Sequence, residues 1–441
     1  MALRLKRVPV TNYRQLCRCL STSGSVNSNV EHHRFAVIGG GAGGLSVASY
    51  LARKFPNQVA VIEPADYHYY QPMWTLVGAG LKDLDDSMKS MSLVMPRNVK
   101  WIKEKAVKFD PKENLVHTDN DRQIKYDFAV VALGIQLQFE KLPGLTEALG
   151  TDGVGCNYSV NTVKDTFKGL QKFNGGEAIF TLPATPVKCL GAPQKIMYLA
   201  DEIFRKNGCR DQTNISYKTP AGVLFGVEKY RNSLLKVCAE RDINVDLFRH
   251  LIKIDPARKE VVFEHTNDES TPKKTETLKY DFIHVTPPMG PYPVLKNSLL
   301  ADDNGFVNVD KHTCQHVQYS NVFSLGDCSS LPNSKTAAAV AAQSEVVRKN
   351  LTSLVNGKPL QSKYDGYASC PLITSSKSCI LAEFNYDGQP QETFPLDQGV
   401  ERRSMYHLKV NFMPDLYWNS LIRGTWPGPG PVRKILHMGR V

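Results

Sequence analysis

Three glycines, two acids that end strands, one lysine ahead of an alanine-rich helix and one isolated cysteine are placed for chemistry in this chain. The glycines are Gly39, Gly41 and Gly44 in HRFAVIGGGAGGLSVASYLARKF (33–55). Their G-x-G-x-x-G spacing permits a tight turn, lets the backbone approach a pyrophosphate, and packs the next helix closely on its strand. That helix then turns its N-terminus to the phosphates. Glu63 ends the strand QVAVIEP (58–64), nineteen residues after Gly44. A carboxylate there accepts hydrogen bonds from both ribose hydroxyls and repels a 2′-phosphate.

The second acid is Asp327, in SNVFSLGDCSSLPNSKTAAAVAAQSEVV (320–347). This stretch reads as a buried strand, a Gly-Asp turn and a helix starting near Lys335, with Ser334 as its expected N-cap. KYDFAVVALGIQ (125–136) reads as a strand running into a glycine turn. The combination resembles the flavoprotein disulfide reductase-like superfamily. The resemblance implies FAD rather than NAD alone: the Asp327 carboxylate on the ribityl chain, the helix N-terminus at the flavin pyrimidine, and Lys335 as an added fixed charge.

The cysteine is Cys189, in TLPATPVKCLGAP. Around it the order of strands and helices is that of a second dinucleotide-binding unit. Strands are expected at 177–183, 214–220, 259–265 and 278–288, and helices at 192–206 and 227–243. The turn that would hold a second nucleotide carries one glycine, Gly191, and prolines at 183, 186 and 193. Prolines without paired glycines leave the backbone too stiff to hug a pyrophosphate, so NAD(P)H is not expected as the reductant. Cys189 stands at the head of a helix beside Lys188, where a thiolate is favoured. On the residues alone, a redox role and a packing role for it both stand.

The chain has 441 residues and ordinary globular composition, with 42% hydrophobic and 22% charged residues. Its net charge is +11, of which five positive residues and no acid fall in 1–30. That basic, Ser/Asn-rich leader predicts a mitochondrial transit peptide. The remaining +6 gives no case for nucleic acid. Ten scattered cysteines, with no C-x-x-C and no zinc-like Cys/His spacing, predict neither a metal site nor a secreted disulfide framework. The tail 405–441 mixes Tyr417, Trp418 and Trp426 with Arg423, Arg433, Lys434 and Arg440, and no acid follows Asp415. It reads as a monotopic, interfacial membrane segment, with a packed helical hairpin as the alternative. On the interfacial reading, its removal leaves the rest of the enzyme intact.

YQPMWTLVGAG (70–80), TPVKCLGAPQKIMYL (185–199), NSKTAAAVAAQS (333–344) and KYDGYASCPL (363–372) resemble the mitochondrial sulfide:quinone oxidoreductase family, over residues 33 to the C-terminus. The resemblance implies an α/β fold with two Rossmann-like units. These are an FAD unit split between 33–145 and 300–365, and a unit at 146–299 without a working NAD loop, followed by a C-terminal region at 366–441. It implies a redox pair of Cys189 and Cys370, and FAD contacts at Gly41, Ala42, Glu63, Gln71, Ala106, Asp327, Lys335 and Ala338. It further implies hydrogen sulfide as substrate, ubiquinone as electron acceptor, glutathione or sulfite as sulfur acceptor, and a place on the mitochondrial inner membrane. Sulfide would attack Cys370 and release Cys189, although the two roles could be exchanged. Bacterial relatives carry a further cysteine near the 133–136 turn, where this chain reads Leu-Gly-Ile-Gln. Cys156, Cys328 and Cys379 are read as structural. The rival reading is a type II NADH:quinone dehydrogenase-like flavoprotein.

Overall fold

The computed structural model describes residues 30–439. The transit-peptide reading therefore lies, but for Val30, outside the described residues. The strands Val30–Ile38, Val59–Ile62 and Gln123–Val131 carry buried apolar runs at 35–38, 59–62 and 129–131, the signature of parallel strands covered on both faces. They form the centre of a seven-stranded sheet. Its path runs Val99–Ile102, Val59–Ile62, Val30–Ile38, Gln123–Val131, Leu115–Thr118 and Ala106–Asp110. Val322–Ser324 returns from 193 residues later (322 against 129) to pair, parallel, with Ala129, Val130 and Val131. The helices Ala42–Lys54 and Ala337–Val355 pack against each other beside this sheet, and both begin at its strand ends.

A second, five-stranded parallel sheet has the order Val154–Gly155, Phe282–His284, Gly176–Thr181, Thr213–Lys218 and Ile243–Asp246. The helix Ala192–Lys206 matches its expected bounds. Elsewhere the sequence reading ran elements together. LKYDFIHVTPP is two strands, not one: Thr275–Lys279 ends an antiparallel meander, and Phe282–His284 enters the parallel sheet. Tyr280 still donates to the Lys259 carbonyl beside the meander, and Asp281 already donates to the Glu177 carbonyl of the parallel sheet. The helix expected to reach residue 243 ends at Glu240, because Asp242 turns left-handed (φ 54°) and Ile243 begins a strand. The strand Arg249–Asp255 escaped notice because a bulge between Leu251 and Lys253 breaks its two-residue period.

Cys370 sits on an antiparallel hairpin, Ala368–Ser375 with Ser378–Phe384, opposite Ala382. The hairpin packs on the Ala192–Lys206 helix. Its other strand holds Glu383, a buried carboxylate that accepts from the Tyr367 and Thr393 hydroxyls, the Thr393 amide and the Gln398 side chain. The three bonds from Thr393 and Gln398 tie the loop 390–398 to the strand pair.

The tail corrects the sequence reading. From Arg403 to Leu421 it is helical, with two π-helical stretches at Leu408–Phe412 and Tyr417–Leu421. Met405, Val410, Tyr417, Trp418, Leu421 and Ile422 are all buried. Tyr417 and Trp418 are therefore core residues and not interfacial anchors. The Ile422 carbonyl accepts from Ser49 (2.7 Å), and the Gly424 carbonyl accepts from Arg53 (2.8 Å). Gly424 has φ 65°, and a Cβ there would stand 2.4 Å from the Ser46 carbonyl oxygen, so the tail lies directly on the Ala42–Lys54 helix. Exposed apolar residues are confined to positions such as Phe412, Ile435 and Met438. Removal of 405–441 is accordingly expected to unfold the protein rather than release a soluble enzyme. Trp418→Ala alone should cost about 3–5 kcal/mol in urea unfolding. An unchanged unfolding midpoint would refute the packing role.

Candidate functional site

A cavity of about 650 Å³ opens where the two sheets meet the hairpin and the tail. Its floor is the glycine turn. Gly39 (φ 105°) leaves no room for a side chain, since a Cβ would lie 2.4 Å from the Ala132 carbonyl oxygen. Gly41 faces open space. Gly44 does not line the cavity: a Cβ there would stand 1.8 Å from the Gly39 carbonyl oxygen, so it serves close helix–strand packing. Ala42 begins the helix whose N-terminus faces the cavity. Glu63 lies beside them, its two carboxylate oxygens accepting the Gly40 (2.6 Å) and Ala65 (2.7 Å) amides. Burial nevertheless pushes its acid upward.

Gln71, Ala106, Asp327, Lys335 and Ala338 also line this cavity. Asp327 sits in a tight turn after Gly326 (φ 75°), and burial raises its pKa against the pull of Lys335 and Lys188. The Ala337–Val355 helix is capped by Thr336, whose hydroxyl accepts the Ala339 amide (3.1 Å). Thr336, not Ser334, is thus the N-cap. Lys335 turns its ammonium to the Ser329 carbonyl (3.1 Å) and over the Phe306 ring. A long cavity with an acid at one end, a glycine turn and two helix N-termini along it fits an adenine dinucleotide bearing a flavin.

Cys189 is on the cavity wall, and Cys370 is buried just behind Ser369 and Pro371. The structure brings these two together across 181 residues of sequence. Both are free thiols. The neighbouring Cys370 thiol, with the help of Lys195 and against the cost of burial, holds the Cys189 thiol far below its ordinary value. The Cys189 sulfur and burial push Cys370 up. The surroundings thus favour Cys189 as the thiolate and Cys370 as its protonated partner.

The cation at the thiolate is not Lys188. The Lys188 ammonium donates to Gln71 (2.8 Å) and lies over the Trp74 ring. Lys195, six residues on and almost fully buried, stands 3.4 Å from the Cys189 sulfur. Burial works against its charge, but the two sulfurs outweigh it and keep Lys195 above the ordinary lysine range. Lys409, from the first π-helical stretch of the tail, is buried nearby and donates to the Pro72 carbonyl (3.1 Å). Burial and the Lys195 charge bring it down to about 8. Sequence reasoning missed both lysines. Lys195 left a signal, as the one charge in APQKIMYLA, whereas Lys409 left none.

The remaining described cysteines (156, 209, 238, 314, 328 and 379) are buried. Cys328, beside Asp327, donates to the Val131 carbonyl (3.4 Å) and packs in the first sheet's core. The place of a second nucleotide turn is filled. A Cβ on Gly191 would stand 2.5 Å from the Cys370 sulfur and 2.9 Å from Leu372, so the hairpin abuts the helix start where a pyrophosphate would lie.

Residues 33–172 match the family model described as pyridine nucleotide-disulphide oxidoreductase. The chain is 48% identical over 409 residues to the mitochondrial sulfide:quinone oxidoreductase of Mus musculus, covering 92% of this chain and 90% of that one. It is 46% identical to the protein of that name in Dictyostelium discoideum, covering 90% and 87%. The chain belongs to the sulfide:quinone oxidoreductase family. The crystal structure of the sulfide:quinone oxidoreductase from Aquifex aeolicus has the same fold (TM-score 0.75, 21% identity, 92% of this chain and 95% of that one).

The site makes a charge prediction. With its pKa depressed, Cys189 remains a thiolate below the ordinary thiol range and loses reactivity only as pH falls through its folded-state pKa. In Lys195→Gln that midpoint should rise by about one to two units. It is measured as the pH dependence of iodoacetamide alkylation of the reduced protein, with the adduct located by mass spectrometry. An unmoved midpoint would remove Lys195 from the site.

Proposed function

We propose that this chain is a mitochondrial sulfide:quinone oxidoreductase working through FAD and the Cys189–Cys370 pair. The observation that carries the reading is two cysteines brought together at the wall of the dinucleotide cavity, with a buried lysine 3.4 Å from the Cys189 sulfur. We take 33–145 with 300–365 as the FAD unit, 146–299 as a Rossmann-like unit without a working NAD loop, and 366–441 as the region that brings Cys370, Lys409 and Tyr417.

FAD, when bound, supplies the two-electron acceptor that returns the cysteine pair to its disulfide and hands the electrons to ubiquinone. The backbone at Gly41 and Ala42 would hold its pyrophosphate and Glu63 its ribose. Asp327 would hold the ribityl chain, with Gln71, Ala106, Lys335 and Ala338 around the rest. In the disulfide state, hydrosulfide attacks the Cys370 sulfur. A new S–S bond forms between the incoming sulfur and Cys370, the Cys370–Cys189 bond breaks, and Cys189 leaves with the electron pair. Lys195 stabilises that leaving thiolate, as exchange of this kind requires. A nucleophile such as glutathione or sulfite then takes the outer sulfur from Cys370 and leaves the dithiol pair.

The type II NADH dehydrogenase reading has no place for its reductant, because Cys370 and Leu372 occupy the approach to Gly191. Among the described residues no helix is long and apolar enough to cross a membrane. We place a monotopic contact with the inner membrane at exposed apolar residues of the tail, Phe412, Ile435 and Met438, and at Leu93, whose carbonyl accepts from Arg423 of the tail.

Stopped-flow spectra of the holoenzyme test the reading: sulfide should bleach the flavin and NADH should not. Cys189→Ser and Cys370→Ser should each abolish sulfide:quinone turnover, and the double variant should be no worse than either. Cys156→Ser, Cys209→Ser and Cys238→Ser should keep most activity. Normal turnover in both Cys189→Ser and Cys370→Ser would reduce the pair to packing.

A further inference from the structure

Cys189 has the backbone conformation of a glycine. Its φ is +55°, in the left-handed region that costs a side-chain-bearing residue about 1 kcal/mol or more. Three hydrogen bonds hold it there. Its amide donates to the Lys335 carbonyl (2.9 Å), and its carbonyl accepts the Ala192 amide (3.0 Å). The third partner is a side chain: the Tyr158 hydroxyl donates to the same carbonyl (3.0 Å).

Tyr158 is itself held. It is 3% exposed and its ring lies beside His284, which is fully buried at the end of the Phe282–His284 strand. His284 Nε2 accepts the Asn157 amide (3.1 Å), which fixes the chain immediately before Tyr158. Burial brings His284 down to about 3, so it remains a neutral acceptor. The strand end thus orients Tyr158, and Tyr158 grips Cys189. The charged or titratable groups acting on Cys189 are Lys195, Cys370, Lys409, Tyr158, Lys188 and Asp327.

We propose that Tyr158 is a positioning residue for the nucleophilic pair: through the Cys189 carbonyl it holds the left-handed backbone from which one sulfur meets both Cys370 and Lys195. The hydroxyl touches no reacting atom. Its effect passes through the main chain of Cys189, so removing it should loosen the sulfur's contact with Lys195 while leaving the fold in place. The inference rests on the sulfide:quinone reading only for its rate measurement.

Tyr158→Phe in the holoenzyme is the test, because it removes one oxygen and keeps the ring. The alkylation midpoint of reduced Cys189 should rise by about one pH unit, with the melting temperature within a few degrees of the parent. Sulfide-driven bleaching should slow about tenfold, the kinetic equivalent of one neutral hydrogen bond. In the Lys195→Gln background the same substitution should move the midpoint little further, since both act on one contact. A folded Tyr158→Phe protein with the parental midpoint overturns the proposal, as does a shift that adds in full to that of Lys195→Gln. If Tyr158→Phe does not fold, His284→Leu, which removes the acceptor of the Asn157 amide that orients Tyr158, should raise the midpoint, and a folded His284→Leu protein with the parental midpoint overturns the proposal. If sulfide fails to bleach even the parent, the functional reading falls, while the alkylation midpoint still decides the role of Tyr158.

Discussion

A buried lysine needs a negative charge beside it, and this site pairs Lys195 with the sulfur of Cys189 on the cavity wall. Uncompensated, the buried ammonium would cost several kcal/mol and would be neutralised by a shift in its own pKa. The 3.4 Å contact of Lys195 with Cys189 meets that need. It works only because the Ala192–Lys206 helix starts at Gly191, which carries Lys195 back over the turn that holds Cys189. The proton that Cys370 retains completes the arrangement, since a second thiolate in the same space would be repelled.

The absence of a second glycine turn and the meeting of Cys189 with Cys370 are two sides of one arrangement. A Rossmann unit offers a crevice beyond the carboxyl ends of its strands, with a helix N-terminus behind it. Here the hairpin of Cys370 has moved into that crevice. Gly191, which in a nucleotide turn would make room for phosphate, makes room for a sulfur atom instead. A working NAD loop and the cysteine contact would need the same volume, so the fold can hold only one of them.

The tail belongs to the same logic. Its two π-helical stretches widen the helix and redirect side chains that a regular 3.6-residue turn would place elsewhere. The first sends Lys409 toward the cavity. The second sends Tyr417, whose hydroxyl donates to His68 Nε2 (2.6 Å) while His68 Nδ1 donates to the Gly40 carbonyl (3.0 Å). That tautomer follows because a carbonyl can only accept, and burial, which brings His68 down to about 4, keeps the ring neutral. The glycine turn and the tail are therefore hydrogen-bonded through one imidazole, and the tail lines the same cavity as that turn.

Local chemistry was legible in the residues themselves. The spacing of Gly39, Gly41 and Gly44, the acid at 63 and the Gly-Asp turn before an alanine-rich helix are short-range patterns, because each is one strand–turn–helix unit read in a single pass. The absence of a second glycine turn was legible for the same reason. What lay beyond reach were contacts whose partners are far apart in the chain. No periodicity connects Cys189 to Cys370, and only a known family suggested that pair. Adjacency in sequence favoured Lys188 as the thiolate's cation, yet the helix geometry turned Lys188 to Gln71 and brought Lys195 instead. Aromatic and basic composition made the tail look interfacial, because composition cannot say which face is covered. Packing on the Ala42–Lys54 helix decided that Tyr417 and Trp418 are core. The amino-acid sequence by itself determined which groups were available and which local turns could hold phosphates. The tertiary structure decided which charge meets which sulfur, because that depends on where two helices, a hairpin and a strained backbone turn converge.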